Sequence, residues 1–360
     1  MTSKERLQAA LAGQAVDHVP FSPFLAYVWE CFPREIQDQG QLEFHHRIGA
    51  DPLWRGAPCP VKTVSPVGVE SRTFEENGRS VTEIRTPVGT IRQASARSET
   101  GNTHFLVEHP LKTEADYQVQ LWIEEHTRLE SNAQAVEEHL GSNGREGLSL
   151  GMLIPRFKSA FQSLVEHHAG TEELNYALAD FPDTVTSLLD RMIQNDLAAA
   201  RMAAESPYEY FITWEDSSTQ NYSPAQYDQF IAPEIKQWCE LLAGYNKRYV
   251  QHACGHVREL LGRMQACGVH AVESLSPRPT GNVTLSEARK TLGRQTGIIG
   301  GIEPTEFLNL SEKALGPYVE QVLADAAGGP HILANSDSCP PGVTVEKFKL
   351  VAQVARSCVR

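Results

Sequence analysis

The chain has 360 residues, 41% of them apolar, and 32 Lys and Arg face 45 Asp and Glu for a net charge of −13. That acidity, spread without long runs, excludes a nucleic-acid binder, whose affinity rests on clustered Lys and Arg. No stretch reaches the roughly 18 consecutive apolar residues of a membrane span.

The N-terminal "MTSKERLQAALAG" reads as an amphipathic helix over 3–13, with Leu7, Ala10 and Leu11 on one face. Thr2 and Glu5 have capping-box spacing, and Gly13 stands where a helix stops. It does not read as a secretion signal, so the expected location is the cytoplasm. The seven cysteines are odd in number and scattered. Disulfides are therefore not expected, and metal binding or simple burial is.

Strands are expected at "HVPFSPF", "ADPLWRG" and "LSLGMLIP", with helices near "LEFHHRIG" and "RFKSAFQSLVEHHAG". Between the second and third strands lies "SRTFEENGRSVTEIRTPVGTIRQASAR", which alternates polar and apolar around an Asn77-Gly78 turn and a bend at Pro87-Val88-Gly89. It reads as a β-hairpin insertion over about 62–98. The helix "DTVTSLLDRMIQNDLAAARMAAES" leads into five successive strand–helix units. Their strands are "YEYFITWED", "RYVQHAC", "HAVESLS", "TGIIGGIEP" and "HILANSDSC", and glycines close several of the helices. Alternation on this scale implies a parallel sheet. Eight strands in all predict an α/β fold, a (β/α)8 TIM barrel forming one domain over 1–360.

Barrel enzymes place their active groups at the carboxyl ends of the strands. Strand four ends in Trp214-Glu215-Asp216, strand five in His252 and Cys254, and strand six in Glu273. Strand seven ends in Glu303-Pro304, and strand eight in Asp337-Ser338-Cys339-Pro340. The two-residue period of a strand turns His252 and Cys254 to the same side. A lone His-x-Cys pair is most often a buried thiol beside a capped histidine. A further thiol, Cys339, at another strand end makes zinc the expectation, since His plus two Cys is a zinc set that leaves one position open. Glu273 can fill that position at rest and yield it to a substrate. Glu215 and Asp216 have two readings: caps of the next helix, or catalytic groups holding a cationic or hydrogen-bonding part of a substrate. Cys239, Cys267 and Cys358 are expected in or beside helices, and Cys31 and Cys59 in loops. The adjacent pairs His45-His46 and His167-His168 diverge on a helix and make poor metal sites. His256 is expected to be solvated.

The chain resembles the uroporphyrinogen decarboxylase superfamily along nearly its full length. The resemblance is carried by "KERLQAALAGQAVDHVPFSP", "TPVGTI", "WEDSSTQNYSPAQYDQFIAPEIK", "HACGHVRELL", "GIEP" and "SCPPGVTVEKFKLV". It is nearest to the branch of zinc-dependent methylcobalamin:coenzyme M methyltransferases. Membership there implies zinc on His252, Cys254 and Cys339, with Glu273 matched as a fourth ligand. It implies transfer of a methyl group from a methyl-corrinoid, either cobalamin or a corrinoid protein, to a small acceptor. That acceptor is a thiol such as coenzyme M, or tetrahydrofolate. The alternative within the family is a tetrapyrrole decarboxylase, which grips substrate carboxylates with an arginine-rich N-terminal segment. Here "LAYVWECFPREIQDQG" holds only Arg34, and Arg55, Arg156 and Arg278 are the modest cleft candidates. A third reading is a non-catalytic barrel with a structural zinc. Whether the chain forms a homo-oligomer stays open.

Overall fold

A computed structural model describes residues 1–98 and 104–358. Its strands are, in chain order, β1 (Leu53–Ala57), β2 (Val61–Val64), β3 (Glu70–Glu76), β4 (Arg79–Thr86), β5 (Gly89–Arg97), β6 (His104–Glu108) and β7 (Arg128–Ser131). Then come β8 (Leu148–Met152), β9 (Tyr210–Thr213), β10 (Arg248–His252), β11 (Ala271–Leu275), β12 (Gly297–Ile302) and β13 (His331–Asn335). The main sheet runs β1-β8-β9-β10-β11-β12-β13, and every pairing in it is parallel. β8, β11, β12 and β13 are buried at every residue. Such strands read as near-continuous apolar runs because helices cover the sheet's outer face.

The expected first strand is reduced to a single parallel bridge, Phe21 with Leu333. Ser22 N–H donates to Leu333 O at 2.9 Å, and on the other side Asp51 N–H donates to Phe21 O at 2.7 Å. Residues 20–22 thus close the curled sheet between β13 and the approach to β1. Pro20 and Pro23 lack an N–H, so a regular ladder cannot run through "VPFSPF".

The insertion is larger than the sequence suggests. β3 to β6 form an antiparallel four-stranded sheet, and β2 pairs antiparallel with β7. Asn77 and Gly78 both have positive φ, at 52° and 74°, as a two-residue hairpin turn demands. The Thr86–Gly89 pairing closes the second turn around Pro87-Val88. The helix Glu114–His126, capped by a Thr113/Asp116 box, was not expected; it packs on the long helix Pro182–Ala204. At the N-terminus the helix Ser3–Leu11 starts with the expected Thr2/Glu5 capping box and ends before Gly13, whose φ is 66°. Among the described residues no helix is long and apolar enough to cross a membrane.

Candidate metal centre

β9 and β10 deliver the reactive groups to one place. His252 is the last residue of β10, Cys254 lies two residues on, and Asp216 follows the end of β9. One ligand atom from each of these three lies within 4.8 Å of the others. Asp216 Oδ1 is 3.3 Å from His252 Nε2 and accepts a hydrogen bond from Cys254 Sγ at 3.3 Å. Asp216 adopts φ +43°, a conformation that costs a non-glycine residue energy and that recurs at functional sites. Trp214 stands edge-on to the His252 ring at 5.1 Å and stacks on Phe24 at 5.6 Å, so the imidazole is walled by aromatic surface.

Glu273 stands behind the imidazole, not beside the thiol. It pairs with His252 in the β10–β11 register and bonds Nδ1 through Oε2. Its other oxygen is 3.0 Å from Arg55 Nε, and both side chains are buried. Arg55 also donates to Ser22 O at 2.9 Å and lies over the Phe24 ring. The register shifts between Glu273 and Leu275, where Ser274 takes φ +76°. A bulge of this kind re-aims its neighbours. Glu273, expected as a fourth metal ligand, has its oxygens facing His252 Nδ1 and Arg55, the arrangement by which a carboxylate orients an imidazole.

Asp216 has the place in front. Lys158 Nζ donates to Asp216 Oδ2 at 2.9 Å and also binds Glu166. Burial raises the Asp216 pKa, but the His252 bond and the charges of His252 and Lys158 outweigh it and hold the carboxyl well below its ordinary range. Burial lowers the His252 pKa, and the charge of Glu273 with the Cys254 and Asp216 contacts overrides it and raises the pKa. Burial pushes the Cys254 thiol up, against the pull of His252.

Glu215 turns away from this group. Its carboxylate accepts from Ser159 N–H at 2.6 Å, Ser159 Oγ at 2.8 Å and Thr213 Oγ1 at 3.0 Å. Burial pushes its carboxyl up to about 7 against those three bonds. It clamps the start of the helix Ala160–Ser163 to β9 and so sets the position of Lys158. Glu303 is a plain N-cap, accepting from Glu306 N–H at 2.8 Å. Cys339 is fully buried, its N–H donates to Phe24 O at 3.1 Å, and its sulfur lies outside the three-residue group. Phe24 in turn stacks on Trp214, which stands against His252, so this loop reaches the site through two aromatic rings. Sulfur, imidazole nitrogen and carboxylate oxygen within one small compass suit a borderline-soft divalent ion such as zinc.

A protein-family model described as uroporphyrinogen decarboxylase (URO-D) matches residues 159–358, more than half of the chain and the whole stretch from Ser159 to Cys339. The chain belongs to this family. No curated protein matches it. Among solved structures, a methyltransferase from Methanosarcina mazei superposes with a TM-score of 0.63 at 16% identity, covering 99% of this chain and 98% of that one. At that identity the likeness is one of fold, and it extends over the insertion as well as the barrel. A B12-independent methionine synthase from Shewanella sp. W3-18-1 gives a TM-score of 0.46 at 10% identity, over 94% of this chain and 96% of that one.

In this uroporphyrinogen decarboxylase-family barrel the cluster opens on a cavity of about 410 Å³ that Asp216, Cys254, Glu166 and Ser218 help to line. Lys158 and Glu166 are the site residues that sequence reading missed. Both lie in "RFKSAFQSLVEHHAG", read there only as a helix. His256 is half-buried, its backbone N–H donating to Ser218 Oγ at 3.1 Å.

Proposed function

We propose that this family member is a zinc-dependent methyltransferase that moves a methyl group from a methyl-corrinoid to a small acceptor thiol, with 1–360 working as one catalytic barrel domain. The observation that carries the reading is the convergence of His252, Cys254 and Asp216 within 4.8 Å, with Cys254 and Asp216 lining a cavity in front of them. His252 and Cys254 are the proposed zinc ligands, with Cys339 as the third from its neighbouring loop. Asp216, not Glu273, is the carboxylate at the fourth position. Bound there, zinc supplies the Lewis acidity that keeps an acceptor thiol as thiolate at neutral pH.

The chain's own groups do the rest. Glu273, with Arg55 behind it, locks the His252 ring so that Nε2 faces Asp216. Asp216 is held ionised and is therefore a poor proton store; the acceptor's proton goes to solvent. Whether or not Oδ1 is engaged, Oδ2 keeps Lys158 as its counter-ion, so Asp216 can yield its position cheaply. The acceptor sulfur then attacks the methyl carbon. A methyl-corrinoid held over the mouth would supply the methyl group, its carbon–cobalt bond breaking as the sulfur–carbon bond forms and its electron pair staying with the departing corrinoid. The corrinoid, free or carried by a partner protein, would meet the barrel mouth over Trp214 and the cavity rim.

The decarboxylase reading draws less support. Of its candidate cations, Arg55 is engaged by Glu273. Arg156 is engaged by Glu124 and Asp196, each at 3.0 Å. Only Arg278 is exposed. The test is loss of methylcobalamin absorbance in the presence of zinc-loaded protein and a thiol. Thiol-dependent demethylation that disappears in Cys254→Ser supports methyl transfer. Zinc-loaded protein that is inert toward methylcobalamin but converts uroporphyrinogen to coproporphyrinogen contradicts it.

A further inference from the structure

We infer that the cavity in front of Cys254 selects against anions, and that Glu166 sets this selection. The cavity is walled by Glu166, Asp216, Thr171, Ser218, Gln220 and Asn221, and among its described lining residues none is basic. Two basic groups face these carboxylates from behind, the Lys158 ammonium on both and the His252 ring on Asp216, and neither lines the cavity. The Lys158 side chain is 4% exposed, against 38% for Glu166 and 32% for Asp216. An entering ligand therefore meets two carboxylates, hydroxyls and amides, and cannot reach the lysine without displacing one of its partners. His167, 3.8 Å from Glu166 Oε1, is an imidazole and not a permanent cation.

Glu166 is placed to matter by its backbone. It lies in the π-helical turn Leu164–His168, an irregularity common at functional sites. Its carboxylate also accepts from Gln162 Nε2 at 3.3 Å, so it is held at the rim by two donors. A sulfonate or carboxylate tail brought into this cleft would be desolvated beside like charge, which electrostatic focusing in a low-dielectric cleft makes costly. The ligand class that fits is a small thiol with a neutral hydrogen-bonding or a cationic tail, such as an aminothiol, and not one with a sulfonate tail. Naming that ligand as the methyl acceptor rests on the methyl-transfer reading; the charge preference of the cavity stands without it.

The test uses Cys254 as a reporter in metal-free, full-length protein. Cationic 2-aminoethyl and anionic 2-sulfonatoethyl methanethiosulfonate each form a mixed disulfide with the thiol and release methanesulfinate. Rates at the Cys254 peptide are followed by mass spectrometry, separately from exposed Cys31, and each is divided by the same reagent's rate with free 2-mercaptoethanol. The expected cation-to-anion ratio is about tenfold or more, within the range of electrostatic steering, and it falls toward one in Glu166→Gln. A parent ratio of one or below, or a Cys254 that reacts with neither reagent, overturns the inference whether or not the variant folds. A high ratio that Glu166→Gln leaves unchanged overturns the assignment to Glu166. None of these readouts needs metal or methyl transfer, so failure here is distinct from failure of the proposed function.

Discussion

The Glu273 carboxylate bridges His252 and Arg55, taking Nδ1 of the imidazole with one oxygen and facing the guanidinium at 3.0 Å with the other. All three side chains are essentially buried, with 4%, 0% and 1% exposure for His252, Glu273 and Arg55. A buried charge is tolerable when it is paired, and here each member pairs another.

Glu273→Gln keeps the volume but removes the charge that orients the ring. Metal affinity should fall about 10- to 100-fold, the usual loss when such a histidine partner is altered. Competition with a chromophoric chelator measures it. Unchanged affinity would mean that the carboxylate only neutralises Arg55.

Glu215 and Asp216 are adjacent but should respond differently. Glu215→Ala strands the Ser159 and Thr213 donors in the core and should lower unfolding stability by about 2 kcal/mol or more. Asp216→Asn sits at a positive φ that asparagine tolerates. It should lower the urea midpoint as well, because it removes the charge paired with buried Lys158 and His252, but unlike Glu215→Ala it should retain zinc and change acceptor kinetics. Denaturant titration measures both losses, and zinc content with acceptor kinetics, read side by side, separates clamp from cavity group.

Three buried histidines should each withdraw stability as the pH falls, against Glu215, whose raised carboxyl acts in the opposite direction. Burial lowers the pKa of His45 from 6.5 to about 4, against the bond of its ring to Gln41 O. His270 is likewise lowered to about 4 and His168 to about 3. At these three sites the unfolded chain binds more protons between those values and 6.5, so the contribution of each drops as pH falls through this window. For His45 alone the full drop is about 3 kcal/mol. His45→Gln should flatten the slope of urea midpoint against pH by that one proton; an identical slope would contradict the assignment.

Much of this fold could be read from the chain because period and punctuation agree. The strand–helix alternation after residue 200 and the Asn77-Gly78 turn are local signals, and the structure follows them. The first strand was overread because Pro20 and Pro23 deny it a ladder, a constraint visible in "VPFSPF" but outweighed by the barrel count. At the site, His252 and Cys254 follow from the period of β10 alone. The position of Glu273 does not, since a bulge at Ser274 and the partner Arg55, on β1 far away in sequence, decide which way it points. Lys158 is beyond sequence reading for the same reason: its aim depends on Glu215 clamping Ser159 from another strand. Side-chain direction at strand ends is set by neighbours that only closure brings together.

Metal content bears most directly on the whole account. Inductively coupled plasma mass spectrometry on protein purified without chelator, parent beside Cys254→Ser and Cys339→Ser, reads it in one experiment. The account predicts near-stoichiometric zinc in the parent and its loss in both variants. A well-folded parent that is metal-free and cannot be reloaded with zinc would contradict it.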